Sequence, residues 1–343
     1  MMKRLNIILI SIIAVAAFTG IYWLQMAGQK SVDEIGETVE VEEYDKEELD
    51  FSEPVGEDLG SPALPDGPDL EVVLEGLTIP WEIAFLPDGG MLVTERPGRL
   101  LHLTAEGLLM SIEIERTEHI GEGGLLGMAL HPSFEDNRFL YLYLTTQSDG
   151  GLVNRVERHV FTDRELVKDM IVIDGIPGAR IHDGGRIAFG PDGMLYIVTG
   201  DAAVPALSQD RDSLAGKILR LNDDGSIPED NPFSSEVYSY GHRNPQGLAW
   251  DDRGNLWATE HGPRAQDELN HILPGKNYGW SEIEGDQSAP GMEEPAAHSG
   301  TAETWAPSGA VYYDGSIFFT GLRGASLYEA VLSGTEVVEI RRG

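Results

Sequence analysis

Apolar positions along this chain come in short bursts. A small residue and an apolar pair are followed by a tight polar turn, then by a strand-like apolar run. Five stretches share this pattern: "WEIAFLPDGGMLVTE" from Trp81, "LLGMALHPSFEDNRFLYLYLT" from Leu125, "GRIAFGPDGMLYIVTGD" from Gly185, "QGLAWDDRGNLWATEHG" from Gln246 and "SGAVYYDGSIFFTGLRG" from Ser308. The matching alanines are Ala84, Ala129, Ala188, Ala249 and Ala310, spaced by 45, 59, 61 and 61 residues. Asp-Gly supplies the positive-φ positions that a hairpin turn needs. One hairpin per 45–61 residues predicts one four-stranded sheet per period, and so a β-propeller. No sustained helical period separates the repeats, which excludes a parallel α/β fold. An unrelated all-β sandwich is the alternative.

Outside this pattern the hydropathy changes twice. Residues 1–28 carry Lys3 and Arg4 ahead of an apolar run, residues 5–26. At about 1.5 Å per residue such a run can span a bilayer. The positive start predicts export of everything after it, with the run as a signal anchor. A cleavable signal peptide is the rival, because Ala14-Val15-Ala16 resembles a cleavage site. Residues 29–69 read as an acidic disordered linker; from Val32 to Asp69 there are fifteen Asp or Glu against one Lys, Lys46. Residues 70–343 are the predicted globular domain. The chain's net charge of −34 argues against nucleic acid as a partner. Cysteine is absent, so there is no thiolate metal site, Cys nucleophile or haem-attachment motif.

Candidate chemistry gathers at the ends of the hairpins. "HDGGR" precedes one hairpin and "TGD" follows it. His182 is the leading general base, since an imidazole titrates near neutrality, and Asp201 could orient its other nitrogen. A surface-loop histidine is the alternative. In "YGHRNPQG", Arg243 could bind an anionic or quinonoid oxygen, with Asn244 and Gln246 serving further polar groups. A capped turn with a solvent-facing Arg is the alternative. "EHGPRAQDELN" offers Asp267 and Glu268, with Gly262 and Pro263 able to expose carbonyls, and such hard oxygen donors suit Ca²⁺.

The segments "GEGGLLGMALHPSF", "RIHDGGRIAFGPDGMLYIVTGD", "GHRNPQGLAW", "EHGPRAQDELNHILPGKNYGW", "APSG" and "GLRG" together resemble the quinoprotein glucose/sorbosone dehydrogenase family, the soluble aldose sugar dehydrogenases. They occur in family order from about Leu70 onward. The resemblance implies a six-bladed propeller that binds pyrroloquinoline quinone (PQQ) and Ca²⁺, oxidises an aldose at C1 to the lactone, and passes electrons to an external acceptor. His182 is then similar to the family's general base and Asp201 to its orienter, while Arg243 would polarise the quinone oxygen. Asn244, Gln246 and Arg323 would complete the cofactor contacts. Glu122 stands where glucose-oxidising members often carry Gln near the sugar. Gly262 and Pro263 look like the carbonyl donors to the PQQ-linked Ca²⁺, and Glu268 and Tyr278 resemble ligands of a second, structural Ca²⁺. The chain departs from the family in two places. No Lys lies between "APSG" and "GLRG", where Asp314 and Gly315 stand. Five repeats are counted, so the last of six blades is expected to be missing or incomplete. A Ca²⁺-dependent propeller lactonase and a non-catalytic propeller binding module are the other readings.

Overall fold

The structure, a computed structural model, describes residues 73–104, 107–162 and 165–343. The apolar run at 5–26 and most of the acidic linker lie outside the described residues. Among those described, no helix is long and apolar enough to cross a membrane.

Among the described residues, twenty strands form five antiparallel four-stranded sheets, each built in chain order. The first blade contains β1 (Pro80–Phe85), β2 (Met91–Glu95), β3 (Arg99–Thr104) and β4 (Gly107–Glu113). The second contains β5 (Leu125–Leu130), β6 (Phe139–Ser148), β7 (Gly151–Phe161) and β8 (Leu166–Pro177). The third contains β9 (Ile187–Phe189), β10 (Leu195–Thr199), β11 (Lys217–Leu221) and β12 (Val237–Tyr240). The fourth contains β13 (Pro245–Trp250), β14 (Leu256–Glu260), β15 (Glu268–Ile272) and β16 (Ala297–His298). The fifth contains β17 (Pro307–Tyr313), β18 (Ser316–Gly321), β19 (Ser326–Ser333) and β20 (Glu336–Arg342). Each of the five sequence repeats forms the first two strands of one blade. The six-bladed ring implied by the resemblance is therefore corrected to five blades among the described residues, because there is one sheet per repeat and five repeats.

The turns close as their chemistry requires. In "GPDG" the Gly193 backbone lies at φ +78° and the Asp192 carboxylate accepts the Met194 N–H at 3.1 Å. The second strands β2, β10 and β14 are buried along their whole length. Both faces of such a strand are covered, which explains why "LYIVT" reads as almost continuously apolar rather than alternating. Alternation survives as a division of labour between the faces. Leu195 and Ile197 pack into a core shared with Tyr141 and Tyr143 of the second blade. Tyr196 and Val198 pack into one shared with Leu248 and Ala258 of the fourth. The first and second blades share Leu92, Leu125 and Leu142, and the fourth and fifth share Trp257, Ile317 and Phe319.

One charged residue ties the blades together at their inner strands. Arg186, just before β9, points its guanidinium at the Glu82 carboxylate of β1 and donates Nε–H to the Gln246 carbonyl of β13 at 2.9 Å. The same group lies 4.2 Å over the Trp81 ring. Its Nη2 comes so close to Gly309 of β17 that a Cβ there would sit 3.0 Å away. Arg186 thus joins the third blade to the first, fourth and fifth.

Candidate active site

Every blade presents the same rim: the segment entering its first strand and the one leaving its second. His182 enters β9 and Asp201 leaves β10; Arg243 and Asn244 enter β13, and His261, Gly262 and Pro263 leave β14. Glu122 enters β5. Antiparallel pairing of β9 with β10 forces the two ends of one hairpin together. His182 Nδ1 lies 2.7 Å from Asp201 Oδ1, and the Asp201 residue is fully buried, with 0% exposure. A carboxylate only accepts, so Nδ1 carries the hydrogen, and in the neutral ring Nε2 has the lone pair.

The backbone around this pair is held in a demanding conformation. His182 sits at φ +63°, the left-handed region that side chains other than glycine rarely adopt. Its N–H donates to Glu122 Oε2 at 2.7 Å and its carbonyl accepts the Ala202 N–H at 3.3 Å. Any side chain in place of Gly200 would overlap that carbonyl, so Gly200 is the close-approach residue. Glu122 reaches toward Asn244 as well, whose Nδ2 is 3.5 Å from the same carboxylate oxygen. Asn244 Oδ1 accepts from the Gly184 N–H and from Gln246 Nε2, both at 3.1 Å.

Arg243 is joined to this pair through the backbone of Asp201. Its carbonyl accepts the Asp201 N–H at 2.8 Å, and its own N–H donates to Glu260 Oε1. Glu260 Oε2 in turn lies 2.8 Å from His242 Nδ1. The guanidinium donates to the His261 carbonyl at 3.3 Å and lies 5.4 Å from the centre of the Trp280 ring. Burial pushes the His261 imidazole to titrate below its usual range, and its Nε2 is 2.7 Å from the Pro307 carbonyl.

A cleft open to solvent lies beside these groups, lined by Arg243, His261, Gly262, Pro263, Glu268 and Trp280 among others. Burial, reinforced by the neighbouring Glu260 carboxylate, pushes the Glu268 carboxyl up to about 8. Two acidic groups crowded in a dry site are a donor set that a hard cation relieves. The Asn270 amide donates to Glu268 Oε2 at 3.1 Å, and its own Oδ1 is buried with no hydrogen-bond partner among the described residues.

Several sequence expectations need redrawing. Asp267 is no free metal ligand: it accepts from the Gly262 N–H, Thr304 Oγ1 and the Trp305 and Ala306 N–H groups, and so ties the loop before β17 to the one after β14. The Tyr278 phenol lies in the core, donating to the His271 carbonyl at 2.6 Å and accepting the Leu273 N–H, so only its carbonyl could serve a cation. Among the described residues, no group of three or more His, Asp or Glu stands ready for a metal. Arg323 lies exposed in the turn between β18 and β19, where the described hydrogen bonds do not join it to the cluster. The Gln246 side chain lies inside the Asn244 network, donating also toward the Gly184 carbonyl at 3.4 Å. Sequence reasoning missed Arg186, Glu260 and Trp280. Arg186 stood inside "HDGGR" and Trp280 ended "NYGW", yet nothing local in either motif names the partner.

The family model described as Glucose / Sorbosone dehydrogenase matches residues 77–342. The solved PQQ-bound aldose sugar dehydrogenase of Streptomyces coelicolor is 43% identical, with a TM-score of 0.75 over 80% of this chain and 84% of that one. The aldose sugar dehydrogenase YliI of Escherichia coli is 39% identical over 64% of this chain and 63% of its own length. Quinoprotein glucose dehydrogenase B of Acinetobacter calcoaceticus is 34% identical over 63% of this chain and 53% of its own length. The matched stretch thus spans less than two thirds of these last two relatives.

Proposed function

The chain belongs to the glucose/sorbosone dehydrogenase family, and on that premise we propose that it oxidises the C1 hydroxyl of an aldose to the lactone, with PQQ as hydride acceptor and Ca²⁺ as the accompanying ion. The observation that carries the proposal is the 2.7 Å pair of His182 and the buried Asp201, whose N–H also donates to the Arg243 carbonyl. PQQ, when bound, supplies an electrophilic quinone that takes a hydride from carbon.

The protein's own part is positioning and proton transfer. His182 Nε2 takes the proton of the anomeric hydroxyl, and the Asp201 carboxylate stabilises the imidazolium this creates. Arg243, held by its hydrogen bond to the His261 carbonyl, would supply fixed positive charge to the quinone end of the cofactor. Asn244 and Gln246 would hold the cofactor's polar edge and Arg323 its carboxylates. The Gly262 and Pro263 carbonyls would hold the Ca²⁺ nearest the quinone. Glu268, with the Tyr278 carbonyl, would take a second. Glu122 lies beside His182 and would meet the sugar on the same side. An external acceptor removes the electrons. Lys3, Arg4 and the apolar run at 5–26 support a catalytic unit outside the cytoplasm, with the run as its membrane tether.

The test is reconstitution. Purified protein is given PQQ and Ca²⁺, and aldose-dependent dye reduction is followed. Activity that requires both additions is the expected result; no reduction with any aldose, despite saturating PQQ, would sink the proposal.

A further inference from the structure

The carboxylate that orients His182 has two oxygens, and they are served differently. Asp201 Oδ1 receives His182 Nδ1–H at 2.7 Å and the Ala203 N–H at 2.8 Å. Asp201 Oδ2 receives the indole Nε1–H of Trp280, at 2.8 Å, across 79 positions of sequence. Asp201 is wholly buried, so water cannot replace a donor that is lost. The same indole carries the Arg243 guanidinium against its face.

Trp280 is itself held firmly. Its N–H donates to the Gly241 carbonyl at 2.9 Å, and its carbonyl accepts Ser208 Oγ–H at 2.8 Å and a Gln209 Nε2–H. A rigid ring with its edge on the orienter of the base and its face on the arginine meets both halves of the site at once. A tryptophan that only filled space would need neither contact.

We propose that Trp280 is a positioning residue that couples these halves: its N–H locks the Asp201 carboxylate in the plane that keeps His182 in its Nδ1–H form, and its ring supports Arg243. The proposal rests on the dehydrogenase reading for its kinetic consequence but not for its structural one. The Trp280→Phe variant keeps a ring beneath Arg243 and removes the donor. The Trp280→Leu variant removes both.

The deciding measurement is made first on the protein without cofactor. ¹H–¹⁵N NMR of histidine-labelled protein should show a downfield Nδ1 proton for His182, assigned by its absence in His182→Asn. In Trp280→Phe that resonance should vanish or broaden through exchange. With PQQ and Ca²⁺ added, Trp280→Phe should lower kcat roughly 10- to 100-fold. PQQ affinity and the KM for the aldose should stay within about threefold. Trp280→Leu should in addition weaken PQQ binding by about tenfold or more. An unchanged His182 resonance in Trp280→Phe overturns the proposal whatever the activity, as does normal kcat with the resonance lost. If Trp280→Phe does not fold, benzothienylalanine at position 280 keeps the shape of the indole without its N–H and takes the same tests. A wild-type protein with the downfield proton but no turnover would count against the dehydrogenase reading alone.

Discussion

His182 shows how one residue can be both strained and fixed. Its left-handed backbone is held by the Glu122 carboxylate on its N–H, and its ring is held by Asp201. If its role is proton removal, His182→Ala should lower kcat by roughly 10²–10⁴-fold while PQQ affinity, read by fluorescence titration, changes little. Arg243→Ala should weaken PQQ and lower the rate together, and normal PQQ affinity in that variant would contradict its assigned place. The neighbouring Asp183 carries a different signal. Burial pushes its carboxyl up to about 6, against hydrogen bonds from the Asn154 amide and the Ala179 N–H that work the other way. The folded protein therefore holds a proton on Asp183 that the unfolded chain has released. This group's contribution is fully present below about pH 4 and is lost as pH rises to about 6. Thermal melts of the cofactor-free protein should show that loss between pH 4 and 6. Asp183→Asn should flatten it, and an identical slope in the variant would show that another group is responsible.

At the scale of the element, the unit is a hairpin whose two ends meet and whose second strand is covered on both sides. The alternation of apolar residues in β10 supplies two neighbouring blades from one strand. Apolar cores between blades are supplemented at the inner strands by polar contacts, such as Thr94 Oγ1–H to the Leu126 carbonyl and Thr259 Oγ1–H to the Ser308 carbonyl, and by one charged residue that reaches several blades. Arg186 reaches from the third blade to Glu82 of the first, the Gln246 carbonyl of the fourth and the edge of the fifth. Removing one partner of a buried charged pair strands the other. Arg186→Met should cost about 3–5 kcal/mol in denaturant unfolding. Adding Glu82→Gln to that variant should recover part of the loss, because it removes the stranded carboxylate. Additive losses in the double variant would show that the two residues act independently.

At the scale of the molecule, charge dominates. From residue 70 onward there are 43 acidic and 20 basic side chains, and like charges spread over one surface repel. Added salt screens that repulsion, so raising NaCl from about 10 mM to about 0.5 M should raise the melting temperature of the folded domain. A flat or falling melting curve would mean that the local ion pairs outweigh the net charge.

Much of this was readable in the chain. The five hairpin repeats follow from composition at each turn and from apolar patterning, both local properties, and the blades follow from them. His182 and Asp201 could be paired because one hairpin separates them, and antiparallel pairing brings hairpin ends together whatever the surroundings. The Arg186 clasp and the Trp280 donor to Asp201 were not readable, because each joins segments from different repeats; the Glu260 carboxylate beneath Arg243 spans a single hairpin, as His182 and Asp201 do, and was missed nonetheless. The same holds for the losses: Asp267 and the Tyr278 phenol look like ligands by residue type, and only their neighbours show that both are already engaged. Local sequence determined the repeating element and the chemistry at its ends. The packing of blade on blade decided which ends face one another, because contacts across 60 to 104 positions depend on how whole sheets stack and not on any pattern within one of them.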